Sequence, residues 1–163
     1  MPPETAHAPH SSYALLFGGF GAGLAAVAAL TTLLGRRPDR LTTFDLAVLS
    51  AATFKAARTV ASDEILSFVR EPFVQGEAHE GQEEPVETGG PRQAIGELLT
   101  CSRCIGTWAA AGLLSAQTLA PRTGRLLTGT LAVAAANDFL QAGFAALTSK
   151  ANELEQRSGS GSS

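Results

Sequence analysis

Hydrophobic positions fall into four blocks along this chain, separated by polar or helix-breaking stretches, and the first block is the purest. Residues 13–34, YALLFGGFGAGLAAVAALTTLL, run for 22 residues with no ionisable side chain except the Tyr13 phenol. As an α-helix this block is roughly 33 Å long, enough to cross a bilayer core of about 30 Å. No Lys or Arg precedes it and it is longer than a usual signal-peptide core, so the expectation is a retained transmembrane helix. The second block, FDLAVLSAATFKAARTVA at 44–61, suits a span in length but is interrupted by Asp45, Lys55 and Arg58. Its helical pattern continues through Ile65, Leu66, Phe68 and Val69, and Pro72 should end it.

Residues 74–93, VQGEAHEGQEEPVETGGPRQ, break the pattern with five Glu, four Gly and two Pro. So little of this stretch can be buried that it reads as a water-exposed acidic loop. The helical pattern resumes at Arg92, and the spacing carries one helix through the cysteines into the apolar run 105–120. A short turn at 121–125 leads to the last block, 126–148, which is long enough to cross but holds Asn137 and Asp138. The reading is all-α: a membrane helical bundle of about four spans, near 13–34, 42–66, 97–120 and 126–148, with a flexible amino terminus (1–12) and a flexible Gly/Ser-ended tail (149–163).

Charge changes this picture only through its placement. A formal net charge of −3 does not suggest a nucleic-acid surface, and no nucleic-acid partner is expected. Four spans put Arg36, Arg37, Arg40, Arg122 and Arg125 on one side, and Arg70, Arg92, Arg103, Lys150 and Arg157 on the other. The count is even, but the short turns hold their arginines right at the membrane, where the positive-inside rule is strongest. The expectation is a bacterial cytoplasmic-membrane protein with its termini and cysteines outside.

The charges inside the spans demand partners, since each costs roughly 2.5–3.5 kcal/mol on insertion scales. Lys55 or Arg58 is expected to pair with Asp138, and with Asp63 and Arg70 they form a candidate structural polar cluster. Trp108 reads as an interfacial anchor. Gly19 and Gly23 form a G-x-x-x-G, a face on which two helices can approach closely.

Cys101 and Cys104 are the only cysteines. Three readings stay open for them. They can be small residues packed where helices meet. They can be a redox pair, for which a helix amino terminus would favour the thiolate, although a helix running from Arg92 would leave them two turns inside it. They can be zinc ligands together with His7 and His10, whose two-residue gap departs from the usual His spacing. No cofactor is expected beyond this zinc alternative, and no hydrolytic constellation is present.

Taken together, FKAARTVASDEILSFVREPF and GPRQAIGELLTCSRCIGTWAAAGLL resemble a family of small bacterial membrane proteins, a domain of unknown function that includes a Bacillus sporulation protein. The matching positions are Arg58, Asp63, Arg70, Pro72, Phe73 and the Cys-x-x-Cys-x-Gly-x-Trp of Cys101, Cys104, Gly106 and Trp108, within about residues 43–146. The resemblance brings no reaction. It does imply that Arg58, Asp63, Arg70 and the cysteines meet at one membrane surface as a polar cap. The functional expectation is a structural or accessory, non-enzymatic membrane protein, embedded in lipid as a homo-oligomer or beside a larger complex. The alternatives are a membrane thiol–disulfide protein, with a quinone or a partner thiol as electron acceptor, and a Cys/His zinc module.

Overall fold

Each long helix starts or stops where the local sequence supplies the missing backbone partners. The computed structural model describes residues 10–36, 41–76 and 83–160, with side chains to Arg157. Helix α1 (His10–Leu33) ends at Gly35, whose φ of 62° only glycine adopts without strain. There Arg36 N–H donates to the Thr31 carbonyl and Gly35 N–H to that of Thr32, closing the last turn. Helix α2 (Thr43–Ser62) opens with a capping box: the Thr42 hydroxyl accepts from Asp45 N–H, and the Asp45 carboxylate accepts from Thr42 N–H at 2.9 Å.

A 3-10 turn (Glu64–Leu66) and the single-turn helix α3 (Ser67–Arg70) follow, and the chain then turns back on itself. Two short antiparallel strands, β1 (Val74–Gln75) and β2 (Glu84–Pro85), pair Val74 with Pro85 and Gln75 with Glu84. The stretch 74–93, expected as one acidic loop, is therefore partly ordered among the described residues. Helix α4 (Pro91–Thr100) starts on a proline at its first position, where a missing N–H costs nothing. Its Gly96 lies so close to the Phe73 carbonyl that a Cβ there would collide with the oxygen.

Helix α5 (Ser102–Leu119) and helix α6 (Pro121–Ser160) meet at the single residue Ala120. The expected turn at 121–125 is instead the first turn of α6. The corner is tight because Gly124 lies against Gln117, where a Cβ would fall 2.5 Å from backbone atoms. Gln117 Nε2 donates to the buried Thr128 hydroxyl at 2.8 Å, and that hydroxyl donates to the Gly124 carbonyl. Helix α6 does not stop near 148 but continues through the polar tail to Ser160, about 60 Å in all.

Helices α2, α5 and α6 form the body, with Leu49, Ala52 and Leu113 at its centre and Leu131 and Ala132 packed around them. Ala52, Ala57, Ala61 and Ala135 are buried, so the helices approach on small side chains. Helix α1 lies against α4 and α5 and buries only Ser12. Two helices, α1 and the Pro121–Arg157 part of α6, are long and apolar enough to cross a membrane. Gly19 and Gly23 meet no other helix, since a Cβ at either would find nothing within 4 Å.

Candidate functional site

The chemistry-bearing residues collect at one end of the body, where α2 finishes and α5 begins. The sequence pattern runs a single helix through the cysteines, but the structure breaks it at Cys101, whose extended backbone (φ −92°, ψ 100°) ends α4 and caps α5. Cys101 Sγ accepts from Cys104 N–H at 3.3 Å, and Ile105 N–H donates to the Cys101 carbonyl. A sulfur thus fills the role that Ser or Asp takes at most helix starts. Cys101 and Cys104 are bonded to each other, with Cα atoms 5.2 Å apart. Cys104 is exposed and Cys101 half-buried.

Two ionic clusters surround this junction. Lys55 Nζ lies 2.9 Å from Asp138 and 3.5 Å from Asp63, tying α2 to α6 and to its own carboxy-terminal end. Arg70 is 1% exposed and fully engaged: Nε donates to Glu83 at 2.6 Å, and an Nη to the carbonyls of Val60 at 2.8 Å and Asp63 at 3.0 Å. A buried guanidinium needs this much compensation for its lost hydration. Glu83 is the acidic-loop residue drawn inward, a role its composition does not reveal. Arg58, by contrast, is exposed and lies over the Phe54 ring at 5.9 Å, so Lys55 rather than Arg58 takes Asp138. A Cβ on Gly106 would lie 3.8 Å from Ala57 Cβ, which sets the Arg58 level of α2 beside the first turns of α5. Arg58, Asp63, Arg70 and the cysteines accordingly share one end of the molecule.

Between α1 and the α4–α5 junction lies a cavity of about 320 Å³. Tyr13, Phe17, Phe20, Glu97, Cys104 and Trp108 line it, with Leu and Ala between them. The Phe20 and Trp108 rings lie 5.0 Å apart. The Tyr13 hydroxyl donates to one Glu97 oxygen, and Gln93 Nε2 donates to the other at 2.9 Å. Gln93 in turn accepts from Gly89 N–H at 2.8 Å, which anchors the chain leading into α4. Sequence reasoning missed both this cavity and Glu97; the only signal was a lone carboxylate in the otherwise apolar AIGELL. Trp108, expected as an interfacial anchor, is half-buried and faces α1.

The zinc set is not assembled among the described residues, which hold no group of three or more His, Cys, Asp or Glu able to bind a metal. His7 lies outside them, and the His10 ring packs edge-on to Tyr13.

Residues 48–144 match a family described as a protein of unknown function, DUF1360. The chain is also 33% identical over 95 residues to the sporulation protein YjcA of Bacillus subtilis (strain 168), an alignment that covers 55% of this chain and 80% of that protein. No solved structure matches the chain. The ion pairs, the buried Arg70 and both cysteines fall inside the matched region, whereas the α1 wall of the cavity lies outside it.

Proposed function

We propose that this chain, which belongs to the DUF1360 family, is a membrane-embedded thiol–disulfide protein working through Cys101 and Cys104. The observation that carries this reading is the helix break at Cys101, because it puts the bonded pair at the amino terminus of α5. There the free N–H groups and the helix dipole favour a thiolate. A disulfide closing so short a loop contributes only about 2 kcal/mol in the chain-entropy account, a weak staple for a helix already held by packing. Exposure of Cys104 suits exchange. An incoming thiolate forms a mixed disulfide at Cys104 Sγ while Cys101 leaves as the thiolate held by the helix start. A second substrate thiolate then displaces Cys104, so one substrate disulfide forms and the pair is left as two thiols.

The membrane setting is supported by apolar surface that nothing among the described residues covers. Phe17 (79% exposed), Leu33 (82%), Phe139 (62%) and Leu147 (73%) are exposed along α1 and α6. A soluble monomer rarely leaves so much apolar surface in water. We take α1, α2, α5 and α6 as the four spans.

The test is stoichiometric oxidation of a reduced dithiol peptide by the purified, oxidised protein in detergent. One peptide disulfide per protein is expected, and none from the C101S/C104S variant with its helicity unchanged. Equal peptide oxidation by that variant, or none by the parent, would overturn the reading.

An accessory role in a larger assembly has one observation in its favour. Beyond Asp138, helix α6 carries Phe139, Leu140, Phe144 and Leu147 exposed, a face that a second chain can cover.

A further inference from the structure

We propose that the cavity between α1 and the α4–α5 junction binds the ring of a lipid-soluble quinone, which reoxidises the reduced Cys101–Cys104 pair; this rests on the thiol–disulfide reading above. The cavity has the size of a small ligand pocket, about 320 Å³, which suits a ring rather than a whole isoprenoid molecule. Its walls favour a flat ring over an aliphatic chain. Phe17, Phe20 and Trp108 offer aromatic faces, and Phe20 and Trp108 already lie 5.0 Å apart. The exposed Leu24, one turn beyond Phe20 on α1, continues the apolar surface along which an isoprenoid tail can lie.

Two features set this cavity apart from a plain lipid crevice. Cys104, one sulfur of the bonded pair, is in its wall. The half-buried Glu97 carboxylate, also in the wall, accepts hydrogen bonds from Tyr13 and Gln93, which fixes its position beside the aromatic side chains. Tyr13 can redirect its hydroxyl to a quinone carbonyl, while Glu97 takes and passes on the thiol proton.

The chemistry balances without any further reagent. In the reduced state two S–H bonds break and one S–S bond forms between Cys101 and Cys104. Two electrons pass to the quinone and two protons to its carbonyl oxygens, giving a quinol. The dithiol substrate that exchanged with the pair supplied those electrons and protons and has left as a disulfide.

Trp108 makes binding visible without any turnover, because it is the only tryptophan in the chain and it lines the cavity. The full chain is placed in quinone-free lipid nanodiscs and titrated with a short-chain benzoquinone, following Trp108 fluorescence. In parallel, the reduced protein is mixed with the same quinone and its thiols are counted. Expected results are saturable quenching at one quinone per protein and loss of both thiols with one quinol formed. C101S/C104S should form no quinol. Ala94→Leu, which fills the cavity, should weaken binding at least tenfold. If that buried substitution perturbs folding, Phe20→Ala on the loosely packed α1 should weaken it by a similar factor.

Non-saturable quenching, or equal affinity in both cavity variants, would overturn the site. So would displacement by oleic acid with no thiol oxidation, since the cavity would then be a lipid-chain site. A pair that oxidises dithiol peptide but ignores quinone defeats this inference and leaves the proposed function standing. Cysteines that exchange with neither dithiol peptide nor quinone defeat both readings, even where the quinone binds.

Discussion

Arg70 shows how much one residue can decide. Its guanidinium reaches Glu83 and the carbonyls of Val60 and Asp63, so it joins the end of α2 to the strand pair. Arg70→Met strands a buried carboxylate and two carbonyls and is expected to cost about 3–5 kcal/mol, read as a lower thermal midpoint in detergent. Arg70→Lys should recover little, because one ammonium cannot reproduce a planar fork of donors. Lys55 poses a different test. Lys55→Met leaves Asp63 and Asp138 without their shared cation, so Lys55→Met with Asp138→Asn should be more stable than Lys55→Met alone in a double-mutant cycle. The pairing of Lys55 with Asp138 was legible in the sequence, since a charged residue in each of two spans needs a partner. The choice of Lys55 over Arg58 was not, because both sit within one turn of α2 and only packing decides which one faces α6.

Among the elements, the long apolar helices were plain from their blocks, and their ends less so. The break at Cys101 carries no Gly or Pro; only the polar run Thr100-Cys101-Ser102 marks it, and a cysteine acting as a helix cap is a weak signal. That single misplacement is what made the cysteines look buried inside a helix. The glycines divide in a similar way. Gly19 and Gly23 form the recognisable motif, yet a Cβ at either would meet nothing within 4 Å among the described residues, whereas Gly124 and Gly96 sit in unremarked positions where backbone comes close. Gly124→Ala is expected to destabilise the α5–α6 corner by about 1–3 kcal/mol, because the clash is with backbone that cannot swing away. Gly19→Ala and Gly23→Ala should leave the thermal midpoint of the monomer unchanged or slightly raised, alanine being the better helix former. A lower oligomeric state in those two variants, by light scattering, would mean that the motif serves contact between copies.

In the whole molecule, the sulfur pair sits at one end of a helical bundle whose outer helices expose long apolar faces. Helix α6 is long enough to run from the corner at Pro121 to the Lys55–Asp138 pair and then about as far again. A chain ending at Thr148 should therefore keep its stability within about 0.5 kcal/mol, since the polar segment it loses adds little to the body. The polar end was foreseeable from the order of the helices, because α2 ends and α5 begins on the same side. The cavity was not, because its walls come from segments more than 80 residues apart, as the Tyr13–Glu97 contact records. The most direct measurement is a redox titration of the full chain in lipid nanodiscs, poised in reduced and oxidised glutathione, with the thiols counted by alkylation and mass. The account predicts one reversible two-electron transition of Cys101 and Cys104 with helicity unchanged throughout. A pair that stays as free thiols at every poise, or a disulfide that yields only when the protein unfolds, would contradict it.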